Sequence, residues 1–378
     1  MNTPAGDLPA PSPAGAGSAD SATAEQGDAA GSSRFPSAGA KWRAVASAPL
    51  VALVTLIAAL LVADYAGFSI RDPDGVAAGY IAMVGSAVFL LVGLDIAIRA
   101  GRRTGTRRPS REAMREVRRE RWTRERGLAV GVALISFYVT YFAYRNLKAA
   151  VPLVRPGDLF DRELLDLERG FLWGTDPAAL LHSVLGTGFI AHVLSALYVA
   201  FIVFLPLSLA LFLVFSEKLQ TSLFYATALS VNWILGAATY FMIPALGPIY
   251  ADPALFADLP DSEVTYLQEI LLEDRIAFLG DPANGPLQAI AAFASLHIAM
   301  SFTAALAAQL LGLDRRLRIA LWTWLALTTV STIYLGWHYV VDDIAGIAMG
   351  ALALLVARVL TGFDLSAARA AQAPGKST

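Results

Sequence analysis

Long apolar runs with almost no charge are the feature that most limits what this chain can fold into. Each is close to the roughly 20 residues that a helix needs to cross the apolar core of a bilayer. Apolar side chains make up 56% of the 378 residues, more than a soluble domain of this size can use. The runs predict an all-α, polytopic membrane bundle of about eight transmembrane helices. Their expected positions are 45–66, 76–98, 127–147, 189–215, 219–243, 294–312, 317–336 and 338–361.

The two ends of the chain have a different composition. Residues 1–40 are mostly Ala, Gly, Ser, Pro and acidic residues, which bury too little apolar surface to offset the entropy of ordering. We therefore predict a disordered N-terminal tail over 1–40 and a flexible C-terminal tail over 362–378. A cleaved signal peptide would have a shorter apolar region nearer the start, so the run after Lys41 is expected to be a retained membrane helix.

Arginines concentrated between the second and third runs predict the orientation of the bundle. Residues 99–126 hold twelve arginines and four glutamates. The positive-inside rule places this connection in the cytoplasm, together with both termini. The acidic connection over 244–293 then lies outside. A solvated segment near anionic lipid explains the arginines better than nucleic-acid binding, so no nucleic-acid partner is expected.

Apolar residues at helical spacing also occur in two of the outer connections, at 161–173 and 261–279. Such segments predict amphipathic helices that lie on the membrane surface. The chain has no cysteine, which excludes disulfides and thiolate metal sites.

A histidine near each of two late runs is the strongest sign of chemistry. His338 and Asp342 are four residues apart, so on a helix they share one face, where the carboxylate can fix the protonated ring nitrogen. His297 begins the sixth run, and the predicted topology places it at the same outer face as His338. Two imidazoles, one backed by a carboxylate, suit a nucleophile and a general acid. The other two histidines, His182 and His192, are expected to be packed structural residues.

Two short motifs surround the paired histidines. The first, Ala-Ser-Leu-His, ends at His297, and the second runs from Ser331 and Thr332 through five residues to His338 and three more to Asp342. They resemble the last two motifs of the type-2 phosphatidic acid phosphatase superfamily, Pro-Ser-Gly-His and Ser-Arg with the same spacing to His and Asp. The Ser-Leu-His triplet, and Thr332 in place of the arginine, resemble the inositol-phosphorylceramide synthase branch.

The resemblance covers 127–361 and implies a six-helix phosphatase or phosphotransferase core there. The region 41–126 would then supply two accessory transmembrane helices and a basic cytoplasmic loop. The resemblance also implies roles: His338 attacks phosphorus to form a phosphohistidine, Asp342 orients it, and His297 protonates the departing oxygen. No metal and no other cofactor is implied.

A phosphoryl group also needs positive charge around its oxygens. The superfamily's first motif, Lys, six residues, Arg-Pro, is absent from its usual place but occurs as Lys148 to Arg155 after the third run. Lys148 and Arg155, with Arg145, are therefore candidate phosphate-binding residues, and Ser295 beside His297 is a fourth. The alternatives are that these cations are interfacial anchors with snorkelling stems, or that Arg275 supplies the charge.

The resemblance implies an enzyme that moves a phosphoryl group or a phospho-head-group, inositol phosphate in that branch. The donor would be a lipid phosphate or phospholipid in the membrane, the acceptor an alcohol or lipid, and the site would face outward. With water as acceptor the same site would be a lipid phosphatase. A transporter is a more distant alternative, disfavoured because the charges cluster at the faces. We further expect Gly346 and Gly350 to serve helix packing and Asp343 to be a wet interfacial acid.

Overall fold

The computed structural model describes residues 38–366, and every regular element in that range is helical. Residues 1–37, which form most of the predicted N-terminal tail, lie outside the described part of the chain. The helices are α1 (Ala38–Ala66), α2 (Val76–Thr104), α3 (Arg111–Arg121), α4 (Arg124–Val154), α5 (Asp161–Phe171), α6 (Pro177–Leu185), α7 (Phe189–Phe215), α8 (Leu219–Met242), α9 (Pro248–Ala251), a 3-10 turn (Pro253–Phe256), α10 (Glu263–Gly280), α11 (Leu296–Leu310), α12 (Arg315–Tyr334) and α13 (Val340–Thr361).

Five of these helices, α1, α2, α4, α7 and α13, are long and apolar enough to cross a membrane. The other three predicted runs are also helical and form α8, α11 and α12. Of these, α11 is apolar but has only 15 residues. The prediction of an all-α, polytopic bundle is confirmed.

The first two helices are packed into the bundle. Helix α1 lies against α4, α8 and α13, while α2 lies against α7. The connection between α1 and α2 is fastened to α4, because Arg145 forms ion pairs with Asp72 and Asp74. At the other end of the chain, Phe363 stacks on Phe224 with ring centroids 4.6 Å apart. The first residues of the predicted C-terminal tail are therefore packed, and 367–378 lie outside the described part of the chain.

Two glycines let α11 and α13 approach closely, as expected. A Cβ atom on Gly346 would lie 2.5 Å from the carbonyl oxygen of Ser295, and one on Gly350 would lie 2.7 Å from that of Ala299. Only a residue without a side chain fits at such a contact. This approach brings the first turn of α11, which carries His297, against the first turn of α13.

A tight turn joins α12 to α13. Gly336 adopts φ of 73°, a left-handed conformation that glycine reaches without strain. The surface helix α10 supports this turn from outside, since the side-chain amide of Gln268 donates a hydrogen bond to the carbonyl oxygen of Leu335 at 2.8 Å. The turn leaves residues 335–339 outside both helices and at the end of the bundle where α11 begins.

Candidate active site

The two predicted histidines meet at one end of the bundle. Nε2 of His338 lies 3.3 Å from Nδ1 of His297, within hydrogen-bond distance. His338 is buried, with 4% of its surface exposed. The desolvation that accompanies burial is the main cause that lowers the pKa of His338 to about 3, and the positive charge of Lys148 is a lesser one. A neutral imidazole keeps a lone pair free, which a nucleophile requires.

Aromatic rings from α7 fix the orientation of His297. Tyr198 and Phe201 lie against its ring with centroids 4.7 and 4.5 Å away. Trp337 stacks on the far side of Tyr198 at 5.1 Å with almost parallel planes. Sequence reasoning missed both α7 aromatics, because their spacing of three residues in an apolar run is typical of any core-facing helix.

Asp342 backs His338, but not in the way that the sequence predicts. His338 precedes α13 instead of lying on it, so the two residues do not share a helix face. Asp342 is the third residue of α13, and its Oδ2 accepts a hydrogen bond from the backbone N–H of Tyr339 at 2.9 Å. This fold-back places the same Oδ2 3.5 Å from Nδ1 of His338. Capping of the helix, in place of helical periodicity, brings the carboxylate to the imidazole.

The expectation that Asp343 is a wet interfacial acid is wrong. Asp343 is buried, and its Oδ2 accepts a hydrogen bond from Oγ1 of Thr332 at 3.1 Å. Thr332 occupies the position at which the resembling motif has an arginine. A hydroxyl and a carboxylate therefore contact one another at the position where the resembling motif has a cation.

Ser295 ties the two motifs together. Its backbone N–H donates to the carbonyl oxygen of Asp342 at 3.0 Å, and its hydroxyl accepts from the N–H of Ile298 as the cap of α11. The residue is fully buried. The structure thus gives Ser295 structural contacts, and its predicted contact with phosphate stays a prediction.

Two acidic residues of α5 form hydrogen bonds with the residues that follow His338. The carboxylate of Asp161 accepts hydrogen bonds from the N–H groups of Leu246 and Gly247 and from the hydroxyl of Tyr339. Glu168 is 3% exposed, and its Oε2 accepts a hydrogen bond from the N–H of Val340 at 2.6 Å. Burial raises the pKa of Asp161 and raises that of Glu168 to about 7.

The sequence predicts α5 correctly as a helix but not the location of its acids. Asp161 and Glu168 share the face of Leu164 and Leu165, and that face is buried. A surface amphipathic helix would direct its acids into water. The available signal was the spacing of three, four and seven residues, which places both acids on the apolar face.

The predicted phosphate-binding cations differ in the groups that they already contact. Arg145 is buried and paired with Asp72 and Asp74. The guanidinium of Arg155 pairs with Asp158 at 2.8 Å and also donates to the backbone carbonyl of Phe241. Arg155 lines a cavity of about 130 Å³ together with Arg275, whose pKa is lowered by burial. None of the histidines lines that cavity.

Lys148 has no carboxylate within ion-pair distance among the described residues. Its ammonium lies 5.8 Å from the ring centroid of Tyr240, a cation–π distance. Its positive charge is one of the causes, after burial, that lower the pKa of the His338 imidazole. Of the three basic candidates, Lys148 is therefore the one whose charge is not neutralised by an acid and is felt at the histidines.

Sequence comparison agrees with this arrangement. The family model described as "PAP2 superfamily" matches residues 162–356, about half of the chain. The chain belongs to the PAP2 superfamily. The matched residues include His297, His338 and Asp342, together with Glu168 beneath them. No match was found among curated proteins or among solved structures.

Membership of the PAP2 superfamily supports a general activity. Its members are generally phosphatases or phosphotransferases, and a membrane-embedded member is expected to act on lipid phosphates. The match to the PAP2 model begins at residue 162, so Lys148 and Arg155 lie before it. The match therefore covers the paired histidines but none of the three candidate phosphate-binding cations.

Proposed function

We propose that this protein is a membrane-embedded phosphotransferase that takes a phosphoryl group or a phospho-head-group from a lipid donor and passes it to an alcohol. The observation that carries the proposal is the contact between His338 and His297, with Asp342 on the opposite side of the His338 ring. The Ser-Leu-His triplet and Thr332, features of the inositol-phosphorylceramide synthase branch, support transfer, inositol phosphate being one head-group of this kind.

In the first step, the lone pair on Nε2 of His338 attacks phosphorus. The bond from phosphorus to the lipid oxygen breaks, and that oxygen takes its electrons and a proton from His297. Asp342 holds the other ring nitrogen, Nδ1, and stabilises the positive charge that develops on the imidazole. Because the two rings are within hydrogen-bond distance, a phosphoryl group between them must move one ring away from the other.

In the second step, His297 accepts the proton of the incoming hydroxyl, whose oxygen attacks the phosphohistidine. The P–N bond breaks and Nε2 of His338 regains its lone pair. With an alcohol as acceptor the product is a new phosphate ester; with water it is free phosphate or a phosphorylated head-group. The same residues serve both reactions, so the supply of acceptor decides between transfer and hydrolysis.

Lys148 is the residue that we assign to the phosphate oxygens. Phosphoryl transfer depends mostly on positioning and on positive charge around the equatorial oxygens. A lysine with a four-carbon stem and no acid partner can turn towards an arriving phosphate without breaking an ion pair. Arg145 would have to leave two aspartates, and Arg155 would have to leave one.

The histidine end of the bundle faces outward in this proposal. The arginine-rich segment around α3 lies at the opposite end, since Arg126 at the start of α4 contacts Val214 near the end of α7, whereas His297 contacts Tyr198 in the first half of α7. By the positive-inside rule that arginine-rich end is cytoplasmic. The donor lipid would then come from the outer leaflet.

The proposal is tested with the purified, full-length protein and a panel of radiolabelled lipid phosphates and phosphoinositides, each with and without an alcohol acceptor. We expect turnover of at least one donor and a radiolabelled ester that appears only with the alcohol. His338→Ala should lose turnover by about 10³-fold or more, while His182→Gln, a histidine that contacts the carbonyl of Tyr334, should keep it. Equal turnover by wild type and His338→Ala would remove the proposal.

Trapping of the intermediate separates the chemistry from the choice of acceptor. Acid-labile, base-stable radiolabel on the wild-type protein, absent from His338→Ala, is expected during turnover of a labelled donor. Release of free phosphate at the same rate with and without alcohol would favour the phosphatase and leave the histidine mechanism standing.

A further inference from the structure

A cavity of about 300 Å³ lies at the end of the bundle opposite the histidines. Helix α4 separates the two sites, since Arg126 and Lys148 are 22 residues apart, or roughly 33 Å along the helix. The cavity therefore takes no part in the chemistry at His338. Its charged lining residues are Arg99, Arg103, Glu120, Arg121, Arg126 and Glu217.

Three of the four arginines are paired with acids. Arg99 and Arg121 both contact Asp95, which is buried beneath the cavity, and both also contact Glu217. Arg103 pairs with Glu120. Four guanidinium groups thus face three carboxylates, which leaves one positive charge in excess.

The excess charge is on Arg126. It is 8% exposed, and no carboxylate lies within ion-pair distance of it among the described residues. Its terminal nitrogens donate to backbone carbonyls only, the shortest contact being 2.8 Å to Ser216, and its Nε has no partner. The guanidinium also lies over the ring of Trp122 at 5.2 Å. A buried cation without a counter-ion is costly, and an anion in the adjoining cavity would supply one.

Exposed apolar side chains lie close in sequence to the arginines of the cavity. Leu94 and Ile98 on α2 are 48% and 39% exposed, and Leu128, two residues after Arg126 on α4, is 71% exposed. A ligand with a charged head and apolar chains would place its head among the arginines and its chains along these residues. Basic pockets between transmembrane helices bind anionic lipid head-groups in this manner.

We propose that this cavity binds a phosphate-bearing anion through Arg126, with the head-group of an anionic phospholipid as the favoured source. The site is independent of the proposed reaction, because it shares no residue with the histidine end. Its role would be to anchor the α2–α4 connection to the lipid surface on that side of the membrane.

The test uses the full-length protein, stripped of lipid in detergent and titrated with phosphatidylglycerol or phosphatidylcholine of identical acyl chains, with bound lipid counted by native mass spectrometry. We expect phosphatidylglycerol to bind at least tenfold more tightly than phosphatidylcholine. Arg126→Gln should weaken this binding at least tenfold. Arg107→Gln, an exposed arginine of the same connection outside the cavity, should stay within twofold of wild type.

Two further variants keep the test informative if Arg126→Gln fails to fold. Arg103→Gln leaves Glu120 unpaired in the cavity and should weaken binding, while Glu217→Gln removes a negative charge and should strengthen it. Opposite shifts are expected from an anion site and not from a structural defect. Equal binding of the two lipids by wild type, or unchanged binding in both Arg103→Gln and Glu217→Gln, would overturn the proposal.

Lipid and soluble anion are separated by a second titration, with inorganic phosphate and no lipid. Displacement of phosphatidylglycerol by millimolar phosphate would support the anion site and assign it to a soluble ligand. A further variant tests whether the lipid binds at the histidine end instead. Lys148→Gln should leave the affinity for phosphatidylglycerol unchanged. Loss of phosphatidylglycerol binding in Lys148→Gln would overturn the assignment to the cavity.

Discussion

The two ends of this bundle hold their acidic residues by different means. At the arginine end, Asp95 and Glu217 are each held by the same two guanidinium groups, those of Arg99 and Arg121. At the histidine end, the buried acids are held by backbone N–H groups and hydroxyls instead. Asp161, Glu168 and Asp342 accept from the backbone, and Asp343 accepts from a threonine.

This difference shows what each end is built to do. A carboxylate neutralised by arginine stabilises the packing of helices but has little effect on a neighbouring imidazole. Asp342 is held by a backbone dipole and faces the imidazole of His338, which it can polarise. The histidine end is therefore rich in buried acids, and in the proposed reaction Lys148 is the residue on which an arriving phosphate would depend.

The largest effect is expected from removing the charge that backs His338. Asp342→Asn keeps an oxygen to accept from the N–H of Tyr339 but no longer stabilises a charged imidazole. We expect turnover of the labelled lipid donor to fall by about 10²-fold or more, with little change in the midpoint of thermal unfolding. Asp343→Asn is the matched control, since it retains its contact with Thr332 and should lose less than tenfold. A wild-type rate in Asp342→Asn would show that the acid is not needed.

Replacement of Lys148 should come next in size. Lys148→Gln is expected to lower kcat/KM by about 10²-fold, because one preorganised donor to a transferring group has roughly that value. Arg145→Gln should instead lower thermal stability, since it leaves Asp72 and Asp74 without their cation. If Arg145→Gln or Arg155→Gln lost more activity than Lys148→Gln at unchanged stability, the assignment of the phosphate-binding charge would have to move.

A smaller change should follow from separating α11 and α13. A methyl group at Gly346 meets the carbonyl of Ser295, so Gly346→Ala is expected to destabilise the protein by about 1–3 kcal/mol. It should also lower activity, because a shift of Ser295 would disturb the hydrogen bond from its N–H to the carbonyl oxygen of Asp342. Gly131→Ala in α4 has open space around the new methyl and is the control, expected to be neutral or slightly stabilising. Unfolding midpoints in detergent, recorded beside the rates, provide the measurement.

The last effect is confined to the pH dependence of stability. The pKa of Glu168 is about 7 in the folded protein against 4.5 ordinarily, so the folded state keeps a proton that the unfolded state releases. Its stabilising contribution is complete below pH 4.5 and is lost as the pH rises to about 7. Glu168→Gln removes this dependence, so the wild type should lose up to about 3 kcal/mol relative to the variant across that interval. Parallel curves of unfolding free energy against pH for the two proteins would contradict the raised pKa of Glu168.

The sequence predicts the architecture and the histidine pair well, for physical reasons. Apolar runs of membrane length have few alternatives to helices, and the parity of the runs places His297 and His338 at one end. The spacing of Gly346 and Gly350 predicts a close helix contact, which the structure confirms. His182 is also hydrogen-bonded as expected, whereas His192, expected to be packed, is exposed.

The surroundings of the histidines could not be predicted, because they depend on contacts between distant segments. Arg145 is paired with residues of the α1–α2 connection, 71 and 73 positions earlier. Glu168 bonds to Val340 across 172 residues. A single sequence does not show whether the partner of a charged residue is water, an acid or a backbone group. The sequence predicts the proximity of His338 to Asp342 correctly, but for the wrong reason. The two residues do not share a helix face, because His338 precedes α13.

The ion pairs of Arg145 have a practical consequence for anyone who shortens this protein. A chain trimmed to begin near residue 124 would retain the six helices of the presumed core but would lose Asp72 and Asp74. A buried guanidinium would then remain without its acids, a change that costs about 3–5 kcal/mol in comparable cases. Removal of the first two helices is therefore expected to destabilise the remaining six. Loss of activity in the trimmed protein would report the loss of these ion pairs and not a role of the removed helices in catalysis.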